Sequence, residues 1–350
     1  MIATARLINV RLCDPLRPAA GSPQLRPLFL LRIETVDGLS AHGEAAPLEA
    51  YDGVSVERTL AALERHRTVL AGLPEPANPA ELDHVLAACR AADPLPQALA
   101  AVDLALWDLM GRRAGVGVHE LLGVHDPQPV VLNATIGAVA PTEAAAEAAT
   151  ALRAGFAALK VKVGTPDDRQ RLKAVRDAVG PDMLIRADAN GAWDRLTAPE
   201  RVRALARFGV ELFEEPVHGL AATEALTQTL PDVAVSLDES AGAALQAGAR
   251  KLCRALCLKI SASGGISGLI ADAARARALG YEVYTASTLD GPLGISAALH
   301  AAAIVRPDRH CGLATLGRFD RPVPPALQPA HGVIRAPAGP GLGDGLLDWY

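Results

Sequence analysis

Hydrophobic and polar positions along this chain follow two rhythms. In the N-terminal part, short apolar-rich runs at 2–11, 28–36 and 41–45 predict strands, the last two joined around Val36-Asp37-Gly38, a hairpin signal. Patterns of helical period follow at 55–71, 79–92 and 95–113, separated by Leu73-Pro-Glu-Pro-Ala-Asn-Pro79 and Asp93-Pro-Leu-Pro96. This half reads as an α+β unit. Two of its segments, 17–24 and 49–55, read as polar loops able to lie over a site elsewhere.

From about residue 128 the rhythm becomes apolar run, polar turn, amphipathic helix. The runs lie at 130–136, 157–163, 183–187, 210–213, 233–237, 255–260 and 282–285, with a weaker one at 312–316. Helical patterns at 141–154, 167–179, 198–207, 264–278 and 291–304 fill most of the gaps. Eight strands alternating with helices predict a parallel β/α barrel rather than an open sheet. No Gly-x-Gly-x-x-Gly follows any run, which weakens a dinucleotide-binding alternative.

Composition narrows the class. The chain has 350 residues, half of them hydrophobic but only 3% aromatic, so the core is built from Ala, Leu and Val. A net charge of −5 without any basic run gives no invitation to nucleic acid or an anionic membrane. No apolar stretch approaches the roughly 18 residues that span a bilayer, and the N-terminal segment lacks the pattern of a signal peptide. A cytoplasmic enzyme acting on a small molecule is the expectation. The five cysteines are scattered and odd in number, as in a reducing compartment, and Cys253 and Cys257 read as small core residues.

Lysine usage then singles out one stretch. Of the 34 Lys and Arg residues only five are lysine, at 160, 162, 173, 251 and 259. Two of them stand one residue apart in Ala158-Leu-Lys-Val-Lys-Val-Gly164, where alternation along a strand turns both to one side. Arginine does not release a proton near neutral pH, whereas a desolvated lysine beside another cation does. The pair therefore reads as chemistry. The ends of the following runs deliver Asp188 with Asn190, then Glu214, Asp238 and Lys259, at separations from Lys162 onward of 26, 26, 24 and 21 residues, about one β/α unit each. In a β/α barrel the strand ends share one mouth. Three carboxylates that converge there need a cation among them, and hard oxygen donors suit Mg²⁺. Glu215 and Glu239 are expected on the far side of their strands as supporting acids, with Asn190 as a further support. Lys162 and Lys259, from opposite sides of the barrel, could address the two faces of one carbon, with Lys160 lowering the proton affinity of Lys162.

These residues carry a resemblance to the enolase superfamily and, within it, the muconate lactonizing enzyme subgroup. The matching elements are Lys-Val-Lys at 160–162, Asp-Ala-Asn at 188–190, Glu-Glu-Pro at 214–216, Asp-Glu-Ser at 238–240 and Lys259 followed by Gly264-Gly265. Gly43-Glu-Ala-Ala-Pro47 and Ala105-Leu-Trp-Asp-Leu-Met-Gly111 resemble the family's capping domain. The resemblance implies a modified TIM barrel, (β/α)₇β, over residues 126–320, an α+β capping domain over 1–125, and a segment at 321–350 that completes the cap. It implies Mg²⁺ on Asp188, Glu214 and Asp238, acid/base lysines at 162 and 259, capping loops 17–24 and 49–55 over the substrate, and a symmetric homo-oligomer. Substrate contacts are expected at Tyr51, Thr135, His218, Ser287 and Asp290. His300 falls within a helical pattern and is expected to pack.

The implied reaction removes the proton α to a carboxylate and stabilises the enediolate on the metal. Arg318-Phe-Asp320 stands where dipeptide epimerases resemble one another in an Asp-x-Asp, and arginine in the first place disfavours an ammonium-bearing substrate. The expected net reaction is thus dehydration of the o-succinylbenzoate synthase kind. Racemisation or epimerisation of N-acylamino acids or dipeptides is the alternative, followed by muconate cycloisomerisation, and outside catalysis a barrel that only binds an acidic metabolite.

Overall fold

The computed structural model describes residues 1–13, 25–248 and 250–350. The expected loop 17–24 lies outside the described residues. Strands β1 (Ile2–Arg11), β2 (Leu25–Glu34) and β3 (Ser40–Ala45) form an antiparallel meander, with Gly38 at φ +86° turning the second hairpin. A helical turn α1 (Glu49–Asp52) follows, then α2 (Val56–Ala71), α3 (Pro79–Ala92), α4 (Pro96–Ala114) and the short α5 (Val118–Leu121). Ser55 and Asn78 cap α2 and α3 by accepting from the backbone of Arg58 and Glu81. Helix α4 is buried along nearly its whole length, wedged between the meander and the second half of the chain. That is why its apolar residues lie on every side, while the buried Gln97, Asp103 and Asp108 among them are hydrogen-bonded.

The apolar run at 130–136 divides in two. β4 (Val130–Val131) pairs antiparallel with a C-terminal strand, and β5 (Asn133–Ile136) enters a parallel sheet. The chain then alternates: α6 (Pro141–Arg153), β6 (Ala158–Lys162), α7 (Asp168–Val179), β7 (Leu184–Asp188), α8 (Ala198–Ala206), β8 (Val210–Glu214), α9 (Leu220–Thr229), β9 (Val235–Leu237), α10 (Ala241–Ala247), β10 (Ala255–Leu258), α11 (Ile266–Ala278), β11 (Glu282–Thr285) and α12 (Pro292–Val305). Strands β5 to β11 make a curled seven-stranded parallel sheet in sequence order.

The eighth run does not form a strand over 312–316. The sheet edges are joined by Cys311 and Gly312, which bridge to Leu132 and Ala286, with Asn133 N donating to Cys311 O and Gly312 N to Thr285 O. Beyond them the chain coils into a 3₁₀ turn at Leu316–Arg318. The fold is the modified β/α barrel with an N-terminal cap. The last thirty residues run back over the first half: β12 (Val333–Ile334) pairs with β4, Leu342 N donates to Asp108, and the Tyr350 hydroxyl donates to Glu44.

Two buried carboxylates of the cap sit on the N-termini of barrel helices. Asp103 in α4 accepts from Ile266 N at 2.5 Å and from Ser267 N at the start of α11. Glu44 in β3 accepts from Gly291 N at 2.8 Å at the start of α12. Free N–H groups and the helix dipole both favour an anion there.

Candidate active site

The C-terminal ends of β6 to β10 bring the ionisable residues to one mouth, as the barrel rule requires. Lys160 and Lys162 turn to the same side, and both ammonium groups reach Oδ2 of Asp188, at 2.8 and 2.6 Å. Lys160 also donates to Glu214 Oε1 at 2.5 Å. Burial alone would lower the proton affinity of Lys160, but Asp188, Glu214 and Asp238 outweigh it and hold the ammonium well above its ordinary pKa. It is therefore a fixed cation beside Lys162. Lys259 lies on both oxygens of Asp238 at 2.8 Å and below the face of Tyr51, 3.7 Å from the ring centroid. The three carboxylates are buried, and three ammonium groups balance them.

Supporting contacts fix these groups. Asn190, held at φ +45°, accepts from Lys162 at 2.6 Å and donates to Glu239 at 2.9 Å. Glu215, at φ +37°, accepts from Asp238 N and from the Ser240 hydroxyl, so it steadies the loop that carries Asp238. Desolvation raises the Glu215 carboxyl to about 7 and, together with Asp238 and Asp188, the Glu239 carboxyl to about 8. Glu239 does not face away from the mouth as expected. It lines the cavity, because the strand ends at Leu237 and alternation stops there.

A cavity of about 710 Å³ opens above this cluster. Of the expected contacts, Tyr51, Thr135, His218 and Ser287 line it, together with Lys160, Lys162 and Lys259. Asp290 does not. It is 1% exposed, accepts from the Thr288 amide and hydroxyl, and supports the wall from behind. His218 lies against Gly191, where a Cβ would fall 2.3 Å from the ring. His300 is buried and stacks on His119, a packing role. The expected loop 49–55 is partly helical. Asp52 accepts from the amides of Leu48 and Val54 and from Gln97, and this turn carries Tyr51 into the barrel, where its hydroxyl donates to Asp238 Oδ1 at 2.8 Å. At the eighth position the cavity is lined by Gly312 and Thr315, whereas Arg318 and Asp320 do not line it. The 3₁₀ turn carries Arg318 to the carbonyl of Thr135 at 2.7 Å.

Comparison with known proteins decides the family. Residues 2–123 match the mandelate racemase / muconate lactonizing enzyme N-terminal domain, and residues 143–347 match the enolase C-terminal domain-like family. The chain belongs to the mandelate racemase / muconate lactonizing enzyme family of the enolase superfamily. It is 36% identical to a hydrophobic dipeptide epimerase of Enterococcus faecalis over 61% of this chain and 59% of that protein. It is 31% identical to muconate cycloisomerase 1 of Rhodococcus opacus over 96% of this chain and 93% of the relative. A dipeptide epimerase structure from Enterococcus faecalis, complexed with Mg and L-Leu-L-Tyr, superposes with a TM-score of 0.88 at 27% identity, covering 98% of each chain. These relatives are enzymes, and this chain is an enolase-superfamily enzyme. Among its described residues no helix is long and apolar enough to cross a membrane.

The donor set suits the superfamily's divalent ion. Asp188, Glu214 and Asp238 are hard oxygen donors, all buried, and Glu214 and Asp238 approach each other within 4.8 Å. One layer deeper lie residues that the sequence reading passed over. Arg186 approaches Glu214 at 3.4 Å and stacks on Tyr284, whose hydroxyl donates to Glu214 at 2.8 Å and bonds Ser236 at 2.9 Å. Arg186 and Ser236 each stand two residues before an acid already identified, as Cys257 stands before Lys259. Counting back along the strands by two would have found them.

Proposed function

We propose that this enzyme moves a proton off and onto the carbon α to a carboxylate from opposite faces, racemising or epimerising an N-acylated amino acid or dipeptide. The observation that carries this reading is that Lys162 and Lys259 arrive from different sides of the barrel and line one cavity, with Asp238 in the same wall. A Mg²⁺ ion held by Asp188, Glu214 and Asp238 would neutralise charge building on the substrate carboxylate. Lys162 as the amine takes the α-proton, the C–H electrons pass into the carboxylate, and the Lys259 ammonium returns a proton to the other face. Lys160 remains charged and lends a second positive group near that carboxylate.

The lining also bears on the substrate nitrogen. Among the described residues its only carboxylates are Asp238, bound to Lys259, and Glu239, bound to Asn190. Thr135, Ser287 and Thr315 offer hydroxyls, which suit an amide better than an ammonium. The epimerase relatives support two-base chemistry over the dehydration expected from sequence. Dehydration is the second reading, and one contact favours it: Lys259 is clasped between Asp238 and the Tyr51 ring, as a cation that only stabilises charge would be.

The test is incubation of single enantiomers of N-acylamino acids with enzyme and Mg²⁺ in D₂O, followed by NMR and optical rotation. Deuterium at Cα with inversion is expected, and Lys162→Ala is expected to lower the rate by about 10³-fold. Loss of water from the o-succinylbenzoate precursor, with no inversion of any N-acylamino acid, would overturn the reading in favour of the second.

A further inference from the structure

The floor of the acid cluster carries a donor that proton transfer does not use. Cys257 stands two residues before Lys259, so alternation along β10 turns it to the same inner side, one layer deeper. It is 2% exposed, and its Sγ, a Glu214 oxygen and an Asp238 oxygen all lie within 4.8 Å of one another. Asp188 is not part of that gathering. The other buried thiols near strand ends have partners: Cys253 donates to Ala255 O, and Cys311 accepts from Thr285. Cys257 is in no disulfide and, among the described residues, in no hydrogen bond. An unpartnered buried thiol facing two carboxylates is an S,O,O donor set, and such a set favours a softer ion than three oxygens do.

We propose that Cys257 is a facultative metal ligand which, with Glu214 and Asp238, binds a thiophilic divalent cation such as Zn²⁺ or Cd²⁺ in competition with the hard ion. The proposal rests on the metal-site reading above in sharing two of its carboxylates. On binding, the S–H bond breaks, a sulfur–metal bond forms and one proton leaves to solvent, with nothing oxidised or reduced. The two ions exclude each other because both need Glu214 and Asp238. Metal identity thereby governs whether the site is available for catalysis.

Cobalt reports sulfur ligation directly. The full-length protein, stripped with EDTA, is titrated with Co²⁺ and followed in the near ultraviolet, where a thiolate-to-cobalt charge-transfer band is expected. In Cys257→Ser the band is expected to vanish, and Cd²⁺ affinity to fall by about 100-fold, the upper end of what loss of a supporting partner costs. Circular dichroism checks the fold, and Cys257→Ala serves if the serine variant does not fold. Absence of the band in the wild type, or its persistence in both variants, overturns the proposal. Calorimetry with Mg²⁺ separates the two readings: a wild type that shows the cobalt–sulfur band but binds no Mg²⁺ upholds Cys257 and sinks the hard-ion site.

Discussion

Tyr51 donates its hydroxyl proton to Oδ1 of Asp238 at 2.8 Å, across the boundary between the cap and the barrel. One residue of the cap thus touches a carboxylate of the proposed metal set directly and, through its ring, covers the proposed acid/base lysine Lys259. Tyr51→Phe keeps the ring and removes the bond. A hydrogen bond of about 1 kcal/mol competing for that oxygen corresponds to roughly a fivefold effect, so the variant is expected to bind Mg²⁺ about that much more tightly by calorimetry. Unchanged or weaker binding would mean that the hydroxyl keeps its bond alongside the ion.

Asp238→Asn removes a charge from the oxygen set and the partner of Lys259 together. Mg²⁺ affinity is expected to fall by at least about tenfold. Calorimetry at fixed pH measures it, and an unchanged affinity would remove Asp238 from the ligand set.

Gly265 begins α11 at φ +106°, and a Cβ there would fall 2.4 Å from Oδ1 of Asp103. Backbone strain and the lost clasp act together in Gly265→Ala. A destabilisation of roughly 3 kcal/mol is expected in thermal or urea unfolding. Lys259 lies six residues upstream, and its carbonyl accepts from Ser263 N in the same loop, so proton transfer is expected to slow as well.

Proton affinity at the cap interface sets a pH dependence. Burial, with Asp290 nearby, raises Glu44 to about 8, and burial raises Asp103 to about 7. An acid with a raised folded-state pKa contributes stability that is fully present below its unfolded pKa and is lost as pH rises through the folded one. The melting temperature is therefore expected to fall between about pH 4.5 and pH 8 and to level off above that. For Glu44→Gln the slope is expected to flatten by up to about 1.4 kcal/mol per pH unit. Parallel melting curves for the two proteins across that range would exclude Glu44 as the source.

The sequence was most informative where an apolar run ended in an ionisable residue. Lys162, Asp188, Glu214, Asp238 and Lys259 were legible because strand alternation and unit length together fix where such residues point. Helix α10 was not, since its seven residues contain a glycine and bury only Ala241, Ala244 and Leu245. The Asp103 and Glu44 clasps join residues more than 160 positions apart, and no local pattern announces them. The position of Arg318 was not legible for a related reason. Its place relative to the mouth depends on a turn after Gly312 that periodicity does not contain.

The seam at Cys311 and Gly312 is two residues wide. Every other junction between neighbouring barrel strands carries an acid or a lysine of the proposed catalytic set. On this side Thr315 reaches the cavity from chain that no neighbouring strand holds in register. Thr315 can therefore change without disturbing the acids, the lysines or the sheet, whereas its neighbours Leu313 and Leu316 are buried in the core. Altered substrate preference in this enzyme is to be sought there first, where adaptation is uncoupled from catalysis.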